Sequence, residues 1–294
     1  MKLYAIVDGV EYDLNYGDPA RIEGEDGLGM PDLHRMEERG PFQNGSTDRG
    51  YRLDPRHPAY VFGISAWTRS QLWDRRQELL RIFRPSRLIV MKHVLDNNDV
   101  RYLDCLYTGG MNMPAKDRRA GVFQKVAIAL VANDPTFYDP SGESITLALG
   151  GGGDTWPFPW TIPWGVGAST IDLSANLQYD GDVASFPSII RITGPIQNAV
   201  ITNISTGEKL DFTGTTIAGG DYYDIDLRYG LKSIVDAGGN DVLSDLTSDS
   251  DLATWHIAAD DEVAGGINTV RIQGVNITAS TKVEINYYNR YGGI

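Results

Sequence analysis

The stretch Gly121–Pro140, GVFQKVAIALVANDPTFYDP, decides how the rest of the chain is read. From Val122 to Ala132 the side chains alternate. Val122, Val126, Ile128 and Leu130 fall on one face, and Phe123, Ala127, Ala129 and Val131 on the other. Apart from Gln124 and Lys125 both faces are apolar, which predicts a central strand covered on both sides. Pro135 has no amide hydrogen for a ladder and disfavours the helical region for Asp134, so the strand must end before it. One body therefore forms ahead of Pro140 and another after it, giving domains 1–140 and 141–294.

Composition agrees with two bodies. A chain of 294 residues is long enough for two cores. Its 33 glycines and 15 tyrosines, with many Thr, Val and Ile, favour turn-rich β structure. Charge is unevenly placed. Of 26 basic and 39 acidic residues, 19 and 20 precede Ser141, leaving 7 and 19 beyond it. The strongly acidic second half argues against its binding nucleic acid or an anionic membrane, because phosphate contacts need clustered Lys and Arg, and no sequence-specific nucleic-acid binding is expected of the chain. No apolar run reaches the roughly 18 residues of a membrane span, so no membrane insertion is expected. The opening MKLYAIVDGVEYDL alternates and carries acids early, as a strand does and a secretory leader does not. The single cysteine, Cys105, excludes an internal disulfide framework and lies in a strand-like segment as an inert buried thiol.

Within the first half, Lys2–Val7 and Val10–Leu14 flank Asp8-Gly9, a two-residue hairpin turn. The stretch from Gly17 to Tyr60 lacks periodicity and is punctuated by Gly40-Pro41, Asn44-Gly45, Asp54-Pro55 and His57-Pro58. So long an irregular run is odd inside a compact monomer. It reads either as strands broken by long loops or as an arm ordered by a neighbouring subunit. Ala59–Ser65 is a strand. A long helix over about 68–84 follows, with Thr68 and Gln71 as a capping box in which Gln71 reaches back to the Thr68 amide. Leu72, Leu79, Leu80 and Phe83 form its apolar stripe, and Pro85 ends it. Arg69, Arg75, Arg76 and Arg81 lie on its outer face, either solvated and paired with Asp74 and Glu78 or meeting acidic neighbours in an assembly. Arg87–Val94 and Val100–Tyr107 are strands joined by Asp96-Asn97-Asn98-Asp99.

Beyond Pro140, Ile145–Leu149 is a short strand, and a Gly/Pro/Trp-rich loop covers about 150–167. Its four glycines are not a phosphate loop, since no Lys-Ser or Lys-Thr follows and Pro157, Pro159 and Pro163 forbid the helix a P-loop needs. Trp156, Trp160 and Trp164 are candidates for an aromatic contact at an interface or, less economically, for a glycan patch. From Phe186 onward come Pro187–Ile192, Ala199–Asn203, Lys209–Phe212, Asp221–Asp226, Ser233–Asp236, Trp255–Ala258, Thr269–Gln273 and Lys282–Tyr288. These eight short strands with Gly, Asn and Asp at their turns predict a β-sandwich of jelly-roll kind. The fold class is thus all-β and mainly antiparallel, in two sandwich-like domains, the first carrying one long helix.

Chemistry-bearing patterns are sparse. His34, His57, His93 and His256 are scattered without metal spacing. Neither Gly-x-Ser-x-Gly nor His-Glu-x-x-His occurs. The acidic tract from Asp236 to Asp241 fails the EF-hand pattern, with Asp241 at the sixth position and Thr247 at the twelfth. No catalytic residue, cofactor or metal is expected, and the chain reads as a non-enzyme.

Four places carry a family resemblance. These are Gly27-Leu28-Gly29-Met30-Pro31 with Gln43-Asn44-Gly45 and Arg52-Leu53-Asp54-Pro55-Arg56; the strand, helix and strands after them; Val131-Ala132-Asn133-Asp134-Pro135-Thr136-Phe137-Tyr138; and Tyr179–Pro187 with Gly194-Pro195 and Asn203–Gly207. In order and spacing the chain resembles the distal tail (Dit) proteins of long-tailed phages with non-contractile tails. Ala264-Gly265-Gly266-Ile267-Asn268 departs from the family, whose members tend to have Pro-Gly before a nearby Asn.

The resemblance implies a structural virion protein at the tail tip, made and assembled in the host cytoplasm. It implies a homo-hexameric ring at the end of the tail tube, contacts with tube, tape-measure and tail-tip or hub proteins, and a lumen for DNA. The first domain would build the ring, and a galectin-like second domain would project outward. Met30, Pro31, Phe42, Arg52, Arg56, Arg75 and Arg76 are the expected subunit-interface residues. The rival reading is a module that binds host cell-wall glycan through exposed aromatics such as Trp156, Trp160 or Trp255.

Overall fold

The computed structural model describes residues 1–16, 18–111, 113, 122–148 and 170–294. The chain divides into two compact units, one of Met1–Pro140 with Tyr291–Ile294 and one of Ser141–Arg290. The return of the last four residues to the first unit is absent from the boundary drawn on sequence.

Among the described residues, the first unit is built on a nine-stranded sheet whose main path comprises β1 (Lys2–Val7), β2 (Val10–Asp13), β3 (Arg21–Asp26), β6 (Ala59–Ser65), β7 (Ile89–Val94), β8 (Val100–Gly109) and β9 (Phe123–Val131), with β10 (Phe137–Tyr138) paired to β8 off that path. Their order is β2-β1-β7-β8-β9-β6-β3. Asp8 and Gly9 both take positive φ, 50° and 79°, which suits the right-handed twist of the β1–β2 hairpin. β9 is internal to the sheet, with one face buried and the other partly covered. Gln124, Val126, Ile128 and Leu130 are buried, whereas Lys125 and Ala127 are exposed. On the second apolar face, expected to be covered, Phe123, Ala129 and Val131 are half-buried, so the cover among the described residues is partial.

The helix α1 (Arg69–Ile82) lies on the covered side and buries Leu72, Leu79 and Ile82, with Phe83 beyond its end. Leu80 departs from the expected stripe and is 47% exposed. At 100° per residue, Leu80 and Ile82 lie on opposite flanks of the Leu72–Leu79 line, and the sheet takes the Ile82 side. The Thr68 hydroxyl accepts the Gln71 amide at 3.2 Å, as an N-cap should. The Gln71 side chain does not close the box on Thr68 but accepts the Trp67 amide at 3.1 Å. Thr68→Ala is expected to lower stability by about 1 kcal/mol in urea unfolding, the usual worth of such a cap. Arg75 pairs with Asp18 at 3.5 Å rather than along its own helix. Arg76 stacks on Trp73 and donates to the Met113 sulfur.

The second unit is a sandwich. One sheet has the order β11-β20-β13-β17-β18, from β11 (Glu143–Ala148), β20 (Lys282–Tyr287), β13 (Ile189–Thr193), β17 (Tyr222–Asp226) and β18 (Ser233–Asp236). The other runs β12-β19-β14-β15, from β12 (Thr170–Gln178), β19 (Ile267–Val275), β14 (Ile196–Asn203) and β15 (Glu208–Asp211), with β16 (Thr216–Ile217) beside β14. Alternating residues of both sheets meet in one core, Ile190, Ile192, Ile225, Val283 and Ile285 from the first and Ile201, Val270 and Ile272 from the second. Trp255–Ala258 is not a strand; Ile257 makes a single bridge to Ser185. Trp255 is 0% exposed, so it belongs to the core and cannot form an exposed aromatic platform.

Candidate functional site

The irregular stretch after Gly17 resolves into strands. β3 joins the edge of the main sheet beside β6, with a bulge between Ile22 and Gly24. β4 (Leu33–Glu38) and β5 (Thr47–Leu53) pair only with each other, Leu33 opposite Leu53 and Glu38 opposite Thr47. In this hairpin every residue of β4 and all but Leu53 of β5 are exposed. None belongs to the buried core of the first unit.

What holds the hairpin together is local. Arg35 meets Asp48 at 2.6 Å, Arg49 meets Glu38, and Arg52 lies 3.7 Å from Asp54. At its tip the Gln43 side chain accepts the Gly40 amide at 3.0 Å and donates to the Thr47 hydroxyl at 2.8 Å. Exposed ion pairs contribute little, about 0–1 kcal/mol each, and a lone two-stranded hairpin is marginal in water. Its apolar side chains face solvent on both surfaces. Phe42 at the tip is 102% exposed, and Met36 and Tyr51 are exposed behind it. Aromatic and methionine side chains presented this way are characteristic of docking surfaces. The hairpin is thus an exposed element that takes no part in the buried core of its unit.

At the hairpin's base sits a different kind of arginine. Arg56 is 2% exposed, so it is not the surface contact expected of it. Its guanidinium donates from Nε to the Pro135 carbonyl at 2.7 Å, from Nη1 to Gly27 at 3.1 Å and to Gly29, and from Nη2 to Gly292 at 2.6 Å. Its carbon lies 4.6 Å from the centre of the Phe137 ring. Burial, the leading influence, lowers its pKa, yet an arginine retains its charge at any ordinary pH. One buried cation therefore ties three chain segments together by four of their carbonyls. The glycines allow this. Gly27 has φ +77°, and a Cβ there would sit 2.7 Å from the His57 carbonyl oxygen. A Cβ on Gly293 would sit 3.1 Å from the Gly29 carbonyl carbon, while Ile294 donates its amide to Leu28.

The remaining expected residues separate. Met30 is 74% exposed beside the hairpin, whereas Pro31 is buried. Arg52 is exposed on β5. Arg75 and Arg76 are half-buried on α1, away from the hairpin in sequence. Trp156, Trp160 and Trp164 lie outside the described residues.

Several ionisable groups of the described residues are engaged locally. His93 is buried against the Tyr60 hydroxyl at 3.0 Å, and burial pushes its pKa down to about 4. Burial likewise raises the Cys105 thiol far above its ordinary range, which makes it inert. Asp236 accepts the Asn240 amide at 2.8 Å within its own turn. Among the described residues no group of three or more His, Cys, Asp or Glu is placed to hold a metal ion, and no helix is long and apolar enough to cross a membrane.

No protein-family model matches the chain, and no curated protein matches it. Solved structures do. The SPP1 Dit (gp 19.1) protein, described as a paradigm of hub adsorption apparatus in phages that infect Gram-positive bacteria, is similar over 99% of this chain and 99% of its own, with a TM-score of 0.62 and 14% sequence identity. Components of the phage P2 baseplate in its activated conformation are similar over 97% and 98% of the two chains at 10% identity, with TM-scores of 0.46 with calcium and 0.45 with strontium. The fold is therefore that of an all-β, Dit-like protein along its whole length.

Proposed function

We propose that the protein is a structural component of a phage tail, acting by assembly and not by catalysis. The single observation that carries this is a hairpin exposed on every side, set in a fold shared end to end with a phage hub protein. Copies join head to tail, the β4–β5 hairpin of one resting on the next, and the sequence closes into a homo-hexameric ring at the distal end of the tail tube. The first unit builds the ring, and Ser141–Arg290 forms the galectin-like body. The partly covered face of β9, with Lys125 and Ala127 exposed, adds a second contact surface. Tube, tape-measure and tail-tip or hub proteins are the neighbours above and below, in a virion assembled in the host cytoplasm. A first half carrying nearly balanced charge suits a lumen that must let DNA pass without holding its phosphates.

Heterologous contacts of this kind close into rings when the rotation between copies permits it, and form filaments otherwise. Negative-stain electron microscopy of the purified protein is expected to show closed rings with six-fold symmetry. Dispersed single particles at high protein concentration would overturn the reading. Glycan binding has no observation among the described residues to favour it, since Trp255 is in the core.

A further inference from the structure

His256 stands among acceptors on both sides of its ring. Nδ1 lies 2.8 Å from the Thr254 carbonyl and 3.0 Å from the Glu208 carboxylate on β15. Nε2 lies 2.9 Å from the Glu262 carboxylate in the turn that follows. A neutral imidazole has one N–H. Whichever nitrogen carried it, the other would aim a lone pair at an acceptor within 3.0 Å. The imidazolium alone satisfies both.

We propose that His256 is a proton-operated staple that holds the Ala259–Val263 turn against β15 in the second unit. The turn itself is closed by the Glu262 and Val263 amides on the Ala259 carbonyl, at 3.1 and 2.9 Å. On its far side Asp260 accepts the Gly265 amide. On the near side Glu208 also accepts the His256 backbone amide at 3.2 Å and the Thr206 hydroxyl at 3.3 Å, so it is already oriented. The Phe186 ring flanks the imidazole at 5.8 Å. Beyond that ring lie Tyr229 and the cation Lys232, which donates to the Leu252 and Ala253 carbonyls. Asp251, from the preceding turn, accepts the Lys209 amide.

Burial alone would lower the proton affinity of His256. The hydrogen bonds to Glu262 and Thr254 and the charge of Glu208 outweigh it, and the pKa is raised. A folded value above the unfolded one of about 6.5 means that the folded state holds the proton more tightly. The staple is fully in place below that pH and is released as pH rises through the folded value. Loss of the proton leaves one nitrogen facing a carboxylate without a hydrogen between them, and the turn loosens.

Proton NMR of the whole protein, with the His256 resonance assigned by His256→Gln, tests this. His256 is expected to titrate above about 6.5, and Glu262→Gln is expected to lower its midpoint by about half a unit or more. Amide exchange over 260–266 should accelerate beyond the intrinsic base-catalysed trend as pH passes the midpoint in the parent, and not in Glu262→Gln. Glu208→Gln supplies a second, independent removal of one carboxylate. Titration below 6.5, an unmoved midpoint in both variants, or exchange that follows the intrinsic trend throughout would overturn the proposal.

Discussion

Arg56→Met is expected to destabilise the first unit by about 4 kcal/mol, the largest effect of any single substitution outside the apolar cores. The charged donor holds four carbonyls, and a hydrogen bond to a charged group is worth about 1.5–3 kcal/mol net. The four are not additive, because they share one rigid fork. Methionine fills much of the volume and keeps the contact with Phe137, so the loss reports the donors and not a cavity. Arg56→Lys should restore less than half, since an ammonium has three donors and cannot span carbonyls contributed by Gly27, Gly29, Pro135 and Gly292. Urea unfolding should then show two transitions, with the midpoint of one moved and that of the second unit in place. Removing Gly292–Ile294 should reproduce part of the effect, because Gly292 supplies one of the four carbonyls. A single unmoved transition in Arg56→Met would show that the clamp is dispensable.

The second large effect concerns assembly. Replacing residues 33–53 with a short Gly/Ser turn is expected to weaken self-association by at least about 100-fold, some 2.7 kcal/mol, while leaving thermal unfolding nearly unchanged. No hairpin residue is part of the buried core, so nothing in the first unit should collapse when it is removed. Its loss removes Phe42, Met36 and Tyr51 together, all exposed and all of the types that anchor interfaces. Sedimentation velocity over a concentration series reads this directly. Association equal to that of the parent would assign the contact to another surface.

How far these features are legible in the sequence depends on what buries them. The Asp8-Gly9 hairpin, β6 and the Thr68-capped helix are written in local chemistry, and all three form where the local signals put them. Where the sequence sees only one chain it overstates cover. The apolar Phe123, Ala127, Ala129 and Val131 predict a full second layer, whereas among the described residues Ala127 is exposed and the other three are only half-buried. The strands β4 and β5 are illegible for the opposite reason. Neither face of LHRMEE or TDRGYRL is buried, so no alternation marks them, and their cross-strand ion pairs involve residues 11 and 13 apart that no local window joins. β12, in contrast, alternates cleanly through Ile171, Leu173, Ala175 and Leu177 and is absent from the strands read, which begin at Phe186 after the Gly/Pro/Trp-rich loop.

Arg56 shows the limit most clearly. Arginine is the residue least expected in an interior, and nothing within a few positions of it signals that carbonyls up to 236 residues away converge there. The one sequence trace is the pair of glycine clusters, Gly27-Leu28-Gly29 and Gly292-Gly293, whose missing side chains make the close approach possible. The place of Trp255 in the core follows from long-range packing that its own neighbourhood does not encode.

The most direct test is amide hydrogen exchange over residues 33–53 as a function of protein concentration. If the hairpin is completed by a neighbouring copy, its amides should exchange within seconds in dilute protein and become protected by orders of magnitude as rings form, while β9 amides stay protected throughout. Hairpin amides that are equally protected at all concentrations, or that stay unprotected in the assembled protein, would contradict it.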